Sequence, residues 1–518
     1  MEITPANQLD KYSPKRDVVT KQHKLILVAI ILGFLILQSF KFGHRWVDDE
    51  SWYTMPIPSI QNEGRFRIPT LPGGDEFWPV PPLLTYSQAL IDTITPLTPV
   101  TARLVPLIAG AFSILAVFLL TRRLYGNNIA LLAAFFIAAD NLIFLAARII
   151  RPEALVTVFF LFALYFTVKS LNKNLGIKEL TLAGLFSALA FCSHPNGLLA
   201  PLCIGAIFLF SYGVKIDFFK KSLVSGIAFI TFMLPFVFWV IYYDGPNEFA
   251  NFKHSWLENY GRHSETDSGT FSTLINLVSA EINGRYKDFI HSPFRIHIAI
   301  VSLGLMIVSL LSKNSTNRLI AGLAVLQLLF FIFVNNSNPS VRYMAVFVPL
   351  IAILAAYWCY QLYQTSTLNM ANALQFKWLT DTKAIIAALI FFSMGVSQVA
   401  GNAVYLWKFR HADYEEVITE LRAVIPEKSI IYGGMAFWLG LREHQYVPYM
   451  RTSWQQALQQ YNPDIIIMDD WVMAEGGSEG EWYSLKVELD AYLTQHGKLL
   501  GEVSNSFYGN MKIYQLHN

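Results

Sequence analysis

Cysteine and charge are what this chain has least of. Its three cysteines, Cys192, Cys203 and Cys359, all lie in apolar runs. Buried thiols of this kind build neither a disulfide framework nor a thiolate metal cluster. Charged residues make up 15% of the 518 positions, against roughly 25% in a soluble domain. With 54% hydrophobic residues and a mean hydropathy of +0.39, this scarcity points away from a soluble globular chain and towards a polytopic membrane protein. A net charge of +2 supplies no basic field, and no nucleic-acid partner is expected. The chain also lacks internal repeats, low-complexity tracts and a convincing glycine-rich phosphate loop; Tyr432-Gly433-Gly434 reads as a turn.

The little charge that exists is unevenly placed. From residue 405 to the end there are nine basic against fifteen acidic residues, so the remainder of the chain carries the positive excess. A basic membrane part, 1–404, and an acidic module, 405–518, are expected as separate domains. Within the first, about eleven apolar runs are candidate spans, starting near residues 24, 98, 127, 153, 180, 196, 222, 294, 319, 342 and 383. The first, Leu25 to Phe40, follows Lys15, Arg16, Lys21 and Lys24 and has no small-residue cleavage site after it, so it reads as an uncleaved anchor. With the N-terminus cytoplasmic, the inside loops carry Arg122, Arg123, Lys169, Lys173, Lys178, Lys215, Lys220, Lys221, Lys313, Arg318, Lys377 and Lys383, as the positive-inside bias requires. An odd number of spans then places the C-terminal module outside a cell membrane crossed many times.

Two loops on that outer side are long, 41–97 and 244–293. The first is rich in Pro and aromatics and suits the headgroup region; in the second, "TLINLVSAEINGRYKDFI" suits a short interfacial helix. In the tail, "DYEEVITELRAVI" and "SWQQALQQY" have helical spacing, and "KSIIYGG", "DIIIMD", "GKLLGEV" and "NMKIYQL" read as strands. Together they predict a small α/β domain.

Chemistry concentrates on the outer side. "HRWVDDESWY" sets Asp48, Asp49 and Glu50 just after the first span. Acids beside hydrocarbon are either solvated at a helix end, with Trp46, Trp52 and Tyr53 as an aromatic belt, or they are used. "AARIIRPEALV" places Arg148, Arg151 and Glu153 at the outer ends of two helices. Pro152 and Glu153 suit a first helical turn, so capping explains part of this; the arginines run against the sign bias and their donor forks match phosphate. "NNSNPSVRYM" adds Arg342, an anchor or a ligand-binding cation, and "CSHPNG" adds His194, a satisfied polar group or a ligand contact. His44 with the acid triplet offers donors that suit a divalent cation only if other loops contribute.

Taken together, these segments resemble the GT-C fold glycosyltransferases, in the branch of protein O-mannosyltransferases and lipid A aminoarabinose transferases. "DESWY" (Asp49, Glu50, Tyr53) is similar to that family's D-E-x-x-Y, and "PVPPLLTY" at 79–86 to its Pro-Pro-Leu element. "RIIRPEALVTVFFLFALYF" is similar to its Arg-rich segment with an acid, and "SVRYMAVFVPL" to its late Arg-Tyr helix. The resemblance covers residues 20–400 in order and sidedness. It implies an integral-membrane GT-C fold with a small outer α/β domain, and an enzyme that moves a sugar from a polyprenyl-phosphate donor to a lipid, glycan or protein hydroxyl with inversion. It implies Asp49 as general base, Glu153 as the second acid, and Asp48, Glu50, Tyr53, Arg148, Arg151, His194 and Arg342 as substrate-binding. No metal ligand set is implied; a divalent cation stays open. Val80 and Trp52 stand where the aminoarabinose branch has phosphate-binding basic residues, so either other arginines bind phosphate here or the donor sits differently. The rival readings are a transporter or flippase of lipid-linked glycans, whose ionisable groups would sit on broken helices at mid-membrane, and a non-catalytic scaffold.

Overall fold

A computed structural model of the chain describes residues 18–43, 45–68, 82–260, 278–279, 282–287, 296–334, 340–370, 382–449, 452–470 and 481–517; for Asp48, Asp49, 239–260, Arg285 and 481–484, among others, only the backbone is described. The long helices are α1 (Lys21–Ser39), α2 (Asp48–Thr54, short but central below), α3 (Leu104–Tyr125), α4 (Asn127–Ala139), α5 (Asn141–Arg148), α6 (Glu153–Leu171), α7 (Ile177–Ser193), α8 (Leu199–Tyr212), α9 (Ile216–Tyr260), α10 (Ile296–Leu310), α11 (Ser315–Phe333), α12 (Val348–Met370), α13 (Thr382–Phe391) and α14 (Ser397–Lys408). All eleven apolar runs are therefore helical. Among the described residues, seven helices are long and apolar enough to cross a membrane, eight if α4 and α5 count as one bent span. The expected eleven exceeds this by three: α7, with 17 residues, and α10, with 15, fall short of the length a bilayer core demands, and α12, with 23, is long enough but turns polar in its second half, from Tyr357 on, and is not among these candidates.

Leucines and isoleucines on the outward faces of these helices stay exposed, among them Leu32, Ile36, Ile227, Ile230, Ile300 and Leu389. A spanning helix keeps its backbone polar groups inside and can offer such side chains to lipid. Inside the bundle, small residues set the spacing. A Cβ on Gly184 would meet the Ser225 carbonyl at 2.6 Å, so α7 and α9 cross with backbones nearly touching. The chain is a multi-pass membrane protein.

Two boundaries differ from the sequence reading. Helix α9 runs on to Tyr260, where a loop was expected from 244. Apolar content in it ends near Phe238; hydropathy marks where lipid ends, whereas helical hydrogen bonds are local and continue beyond it. The last apolar helix also reaches Lys408, past residue 404. In the first loop, Ile57–Glu63 and Leu83–Asp92 are helical. In the second, Ile282–Tyr286 forms one wide helical turn, and residues 273–277, 280–281 and 288–290 of the expected interfacial helix lie outside the described ones.

Helices α4 and α5 meet at a 59° bend. Asp140 sits at the break and accepts from Leu142 N (2.7 Å) and Ile143 N (3.1 Å), so its carboxylate caps α5. The remaining peptide groups find side chains of α14. Asn402 donates to the Ala139 carbonyl (2.8 Å), and Asn141 N donates to Gln398 Oε1 (3.3 Å).

The C-terminal module is a five-stranded sheet in the order β2-β1-β3-β5-β4. Strands β1 (Ile430–Gly433), β2 (Gln445–Pro448) and β3 (Ile465–Met468) are parallel; β4 (Gly497–Asn505) and β5 (Gly509–Leu516) form an antiparallel hairpin added at β3. Helices α15 (Tyr414–Val424), α16 (Trp454–Tyr461) and α17 (Glu481–His496) cover it. Alternation assigns the faces. Ile465 and Ile467 join a core with α15 and with Trp46, Tyr53 and Ile57 of the membrane part. Ile466 and Met468 join a separate core with Trp454 and Leu489. The expected helices and strands of the tail are all present; β2 and α17 were not anticipated. One face of the domain is thus fused to the first loop, directly over α2.

Candidate functional site

The acid-rich stretch folds as α2 because Glu50 closes its first turn. Glu50 Oε2 accepts from Val47 N at 3.1 Å, the reciprocal half of a capping box. The same carboxylate is fully buried and receives Arg103 as a two-pronged partner: Nε to Oε1 at 2.7 Å and Nη2 to Oε2 at 2.6 Å. Oε1 also accepts from Ile150 N at 3.1 Å. Arg103 spends its other donors on the carbonyls of Phe42 and Arg45. Glu50 is therefore tied to the end of α1, the start of α3 and the turn before α6. Arg103 escaped the sequence reading. Its signal was the one that flagged Arg148 and Arg151, a lone arginine at the start of a span on the side opposite the basic loops.

Arg148 is buried and donates to the carbonyls of Gln38 (2.7 Å), Phe40 and Lys41 (2.7 Å). These are the orphaned C-terminal acceptors of α1, so its fork caps that helix. With Lys41 and Arg45 it lines a small cleft beside the Glu50–Arg103 pair and Tyr405. None of these three cations has a carboxylate partner among the described residues. The cleft holds excess positive charge.

One residue past Ile150 the arrangement changes. Arg151 Nε donates to Glu153 Oε1 at 3.0 Å. Glu153 starts α6 and is 3% exposed, yet its Oε2 has no hydrogen-bond partner among the described residues. His194 lies close by in the loop between α7 and the turn Pro195–Leu198, with its ring 5.0 Å from that of Tyr343. Burial drives the His194 pKa down to about 4, with the Glu153 charge acting the other way. His194 Nδ1 accepts from Asn196 N at 3.1 Å, which fixes the ring. Arg342, exposed, precedes Tyr343 in the turn Val341–Val346, which packs against α5 and α6.

Arg151, Glu153, His194 and the Arg342–Tyr343 turn thus gather on one rim, and α2 abuts that rim through Glu50. Tyr53 is buried in the core shared with the C-terminal domain. The side chains of Asp48 and Asp49, and all of His44 and Pro79 to Pro81, lie outside the described residues. Among the described residues, no three His, Cys, Asp or Glu side chains converge as metal ligands. Chemically, the rim offers a buried acid with an unused acceptor, a guanidinium held by that acid and a neutral imidazole.

Residues 79–239 match the family model described as dolichyl-phosphate-mannose-protein mannosyltransferase. A relative from Aquifex aeolicus (strain VF5), described as "Uncharacterized protein", is 27% identical over 189 residues, which is 35% of this chain and 37% of that one. The chain thus matches little more than a third of that relative's length. Among solved structures, ArnT from Cupriavidus metallidurans bound to undecaprenyl phosphate is similar with a TM-score of 0.65 at 13% identity, covering 94% of this chain and 97% of that chain. The apo oligosaccharyltransferase of Archaeoglobus fulgidus gives 0.54 at 13% identity over 96% and 74%. At such identities the likeness is one of fold. This chain has the GT-C glycosyltransferase fold, with residues 79–239 similar to the mannosyltransferase family.

Proposed function

We propose that this protein transfers a sugar from a polyprenyl-phosphate carrier to an extracytoplasmic hydroxyl on a lipid, glycan or protein. The observation that carries the reading is the Glu50 Oε1 bond to Ile150 N. It joins the acid-bearing helix to the turn that presents Arg151 and Glu153, which supports the reading that a general base on α2 and a phosphate-binding cation act from one rim. The relatives agree in kind. The ArnT structure holds undecaprenyl phosphate, and the Archaeoglobus enzyme has been seen with dolichol-phosphate and an inhibitory peptide. The N-terminus is assigned to the cytoplasm and the C-terminal domain to the outside by the basic loops.

Asp49 takes the proton of the acceptor hydroxyl. The acceptor oxygen bonds to the anomeric carbon while the carbon–oxygen bond to phosphate breaks, and the electron pair leaves with the phosphate. In-line attack inverts the anomeric centre. Arg151, held by Glu153 Oε1, stabilises the leaving charge, with Arg342 as a second cation. Glu153 Oε2 is the acceptor for a substrate hydroxyl. His194, neutral at physiological pH, lies on the same rim. Arg148, with Lys41 and Arg45, supplies positive potential behind the site, and Glu50 fixes the position of α2; Asp48 and Tyr53, one residue before and four after the base in sequence, are assigned to substrate binding.

Purified protein in liposomes, given polyprenyl-phosphate mannose and an envelope acceptor fraction, should release polyprenyl phosphate and form a glycosylated product. Asp49→Asn should lower that rate by about 10³-fold with an unchanged melting temperature. A mutant retaining full activity removes Asp49 as base. Carrier movement across the liposome without product favours the flippase reading instead.

A further inference from the structure

The tip of the β4–β5 hairpin does something that neither the fold of the domain nor its core requires. Asn505 Oδ1 accepts from Phe507 N at 2.8 Å and Tyr508 N at 3.3 Å, and Gly509 turns the chain with φ at +74°. The tip is rigid for those local reasons. It presents the Tyr508 hydroxyl to a single peptide unit far away in sequence. Trp46 N donates to Tyr508 Oη at 2.8 Å, and Tyr508 Oη donates to the Trp46 carbonyl at 3.0 Å. The bond that Tyr508 donates needs the protonated phenol, and burial raises its pKa well above the ordinary tyrosine value. Neighbouring Phe507 stacks on the Arg45 guanidinium at 4.9 Å, with Phe409 on it at 4.3 Å. Trp46 is itself fully buried, and its indole donates to Ser51 of α2 at 2.8 Å.

We infer that Tyr508 is a positioning residue: through the Trp46 peptide it fixes the N-terminal end of α2 and so the placement of Asp49. The inference rests on the role proposed for Asp49, but the physical coupling does not. Residues 45–47 have no regular secondary structure between α1 and α2, and the local bonds, Val47 N to Glu50 Oε2 and the Trp46 indole to Ser51, leave the Trp46 peptide unit itself to the hairpin tip. The hairpin tip supplies both hydrogen bonds that a strand neighbour would. Reactive groups displaced by about 1 Å can lose two orders of magnitude in rate, so a strut at this point controls turnover rather than affinity.

Tyr508→Phe keeps the ring and removes the hydroxyl. In the full-length protein, deuterium uptake across residues 45–54 should accelerate about tenfold, while β1 and β3 exchange as before. In the transfer assay kcat should fall about tenfold with the donor KM within about twofold. Ser506→Ala, at the exposed apex, should change neither. Unaltered uptake at 45–54 overturns the strut. Faster uptake with an unaltered kcat overturns the positioning role. If the wild type transfers no sugar, the proposed function fails, and the exchange arm alone still decides whether Tyr508 holds α2.

Discussion

Glu50 and Glu153 lie on the same rim, both buried, and are used in opposite ways. Glu50 receives four donors: two from Arg103 and the peptide N–H groups of Val47 and Ile150. It has no capacity left and joins three segments of chain. Glu153 receives Arg151 on one oxygen and, among the described residues, leaves the other with none. A saturated buried carboxylate is architecture. A half-satisfied one carries an unmet desolvation cost that a substrate hydroxyl can relieve. The contrast separates the part of the rim that holds from the part proposed to meet substrate.

The most damaging way to break this contrast is Arg103→Ala. It strands the Glu50 charge in the interior, which should cost about 3–5 kcal/mol. The expected outcome is a large fall in melting temperature and in yield of monodisperse protein in detergent. Glu153→Gln is the complementary change. It should lower sugar transfer about a hundredfold while the melting temperature stays near wild type. If instead it destabilises as much as Arg103→Ala, the two carboxylates play the same role and the division fails.

The smallest effect is on pH dependence. His194 binds a proton near 6.5 when unfolded and near 4 when folded. Between these values the unfolded chain holds more protons, so stability present above pH 6.5 is lost as pH falls towards 4. Melting temperature should rise from pH 4.5 to 6.5 and then level off. His194→Asn, which keeps an acceptor for Asn196 N, should flatten that rise.

Much of this was legible in the sequence. Apolar runs located the helices, and period-two and helical patterns located most of the C-terminal domain. The acid-rich and arginine-rich segments that meet at the rim were both visible. The missing pieces have physical reasons. Strand β2 is four residues, Gln445–Pro448, ending in a proline, too short to show alternation. The pairing of Glu50 with Arg103 spans 53 residues and depends on where α3 begins. Arg148 and Arg151, three positions apart, looked equivalent; the first caps α1 and the second holds Glu153, a distinction made by tertiary packing alone. The hairpin tip carries no pattern in Phe507-Tyr508 that would name Trp46 as its target.

The bend between α4 and α5 bears on how the molecule is made. Its exposed peptide groups are satisfied by Gln398 and Asn402, which lie 257 and 263 residues further along the chain. Ribosomal synthesis delivers the break long before its partners. In hydrocarbon, unpaired amide and carbonyl groups cost several kcal/mol each, so the nascent segment gains by staying a straight helix until the final span inserts. The kink that aims Arg148 at the end of α1 is then among the last features to form, and completion of the rim is coupled to arrival of the last membrane helix.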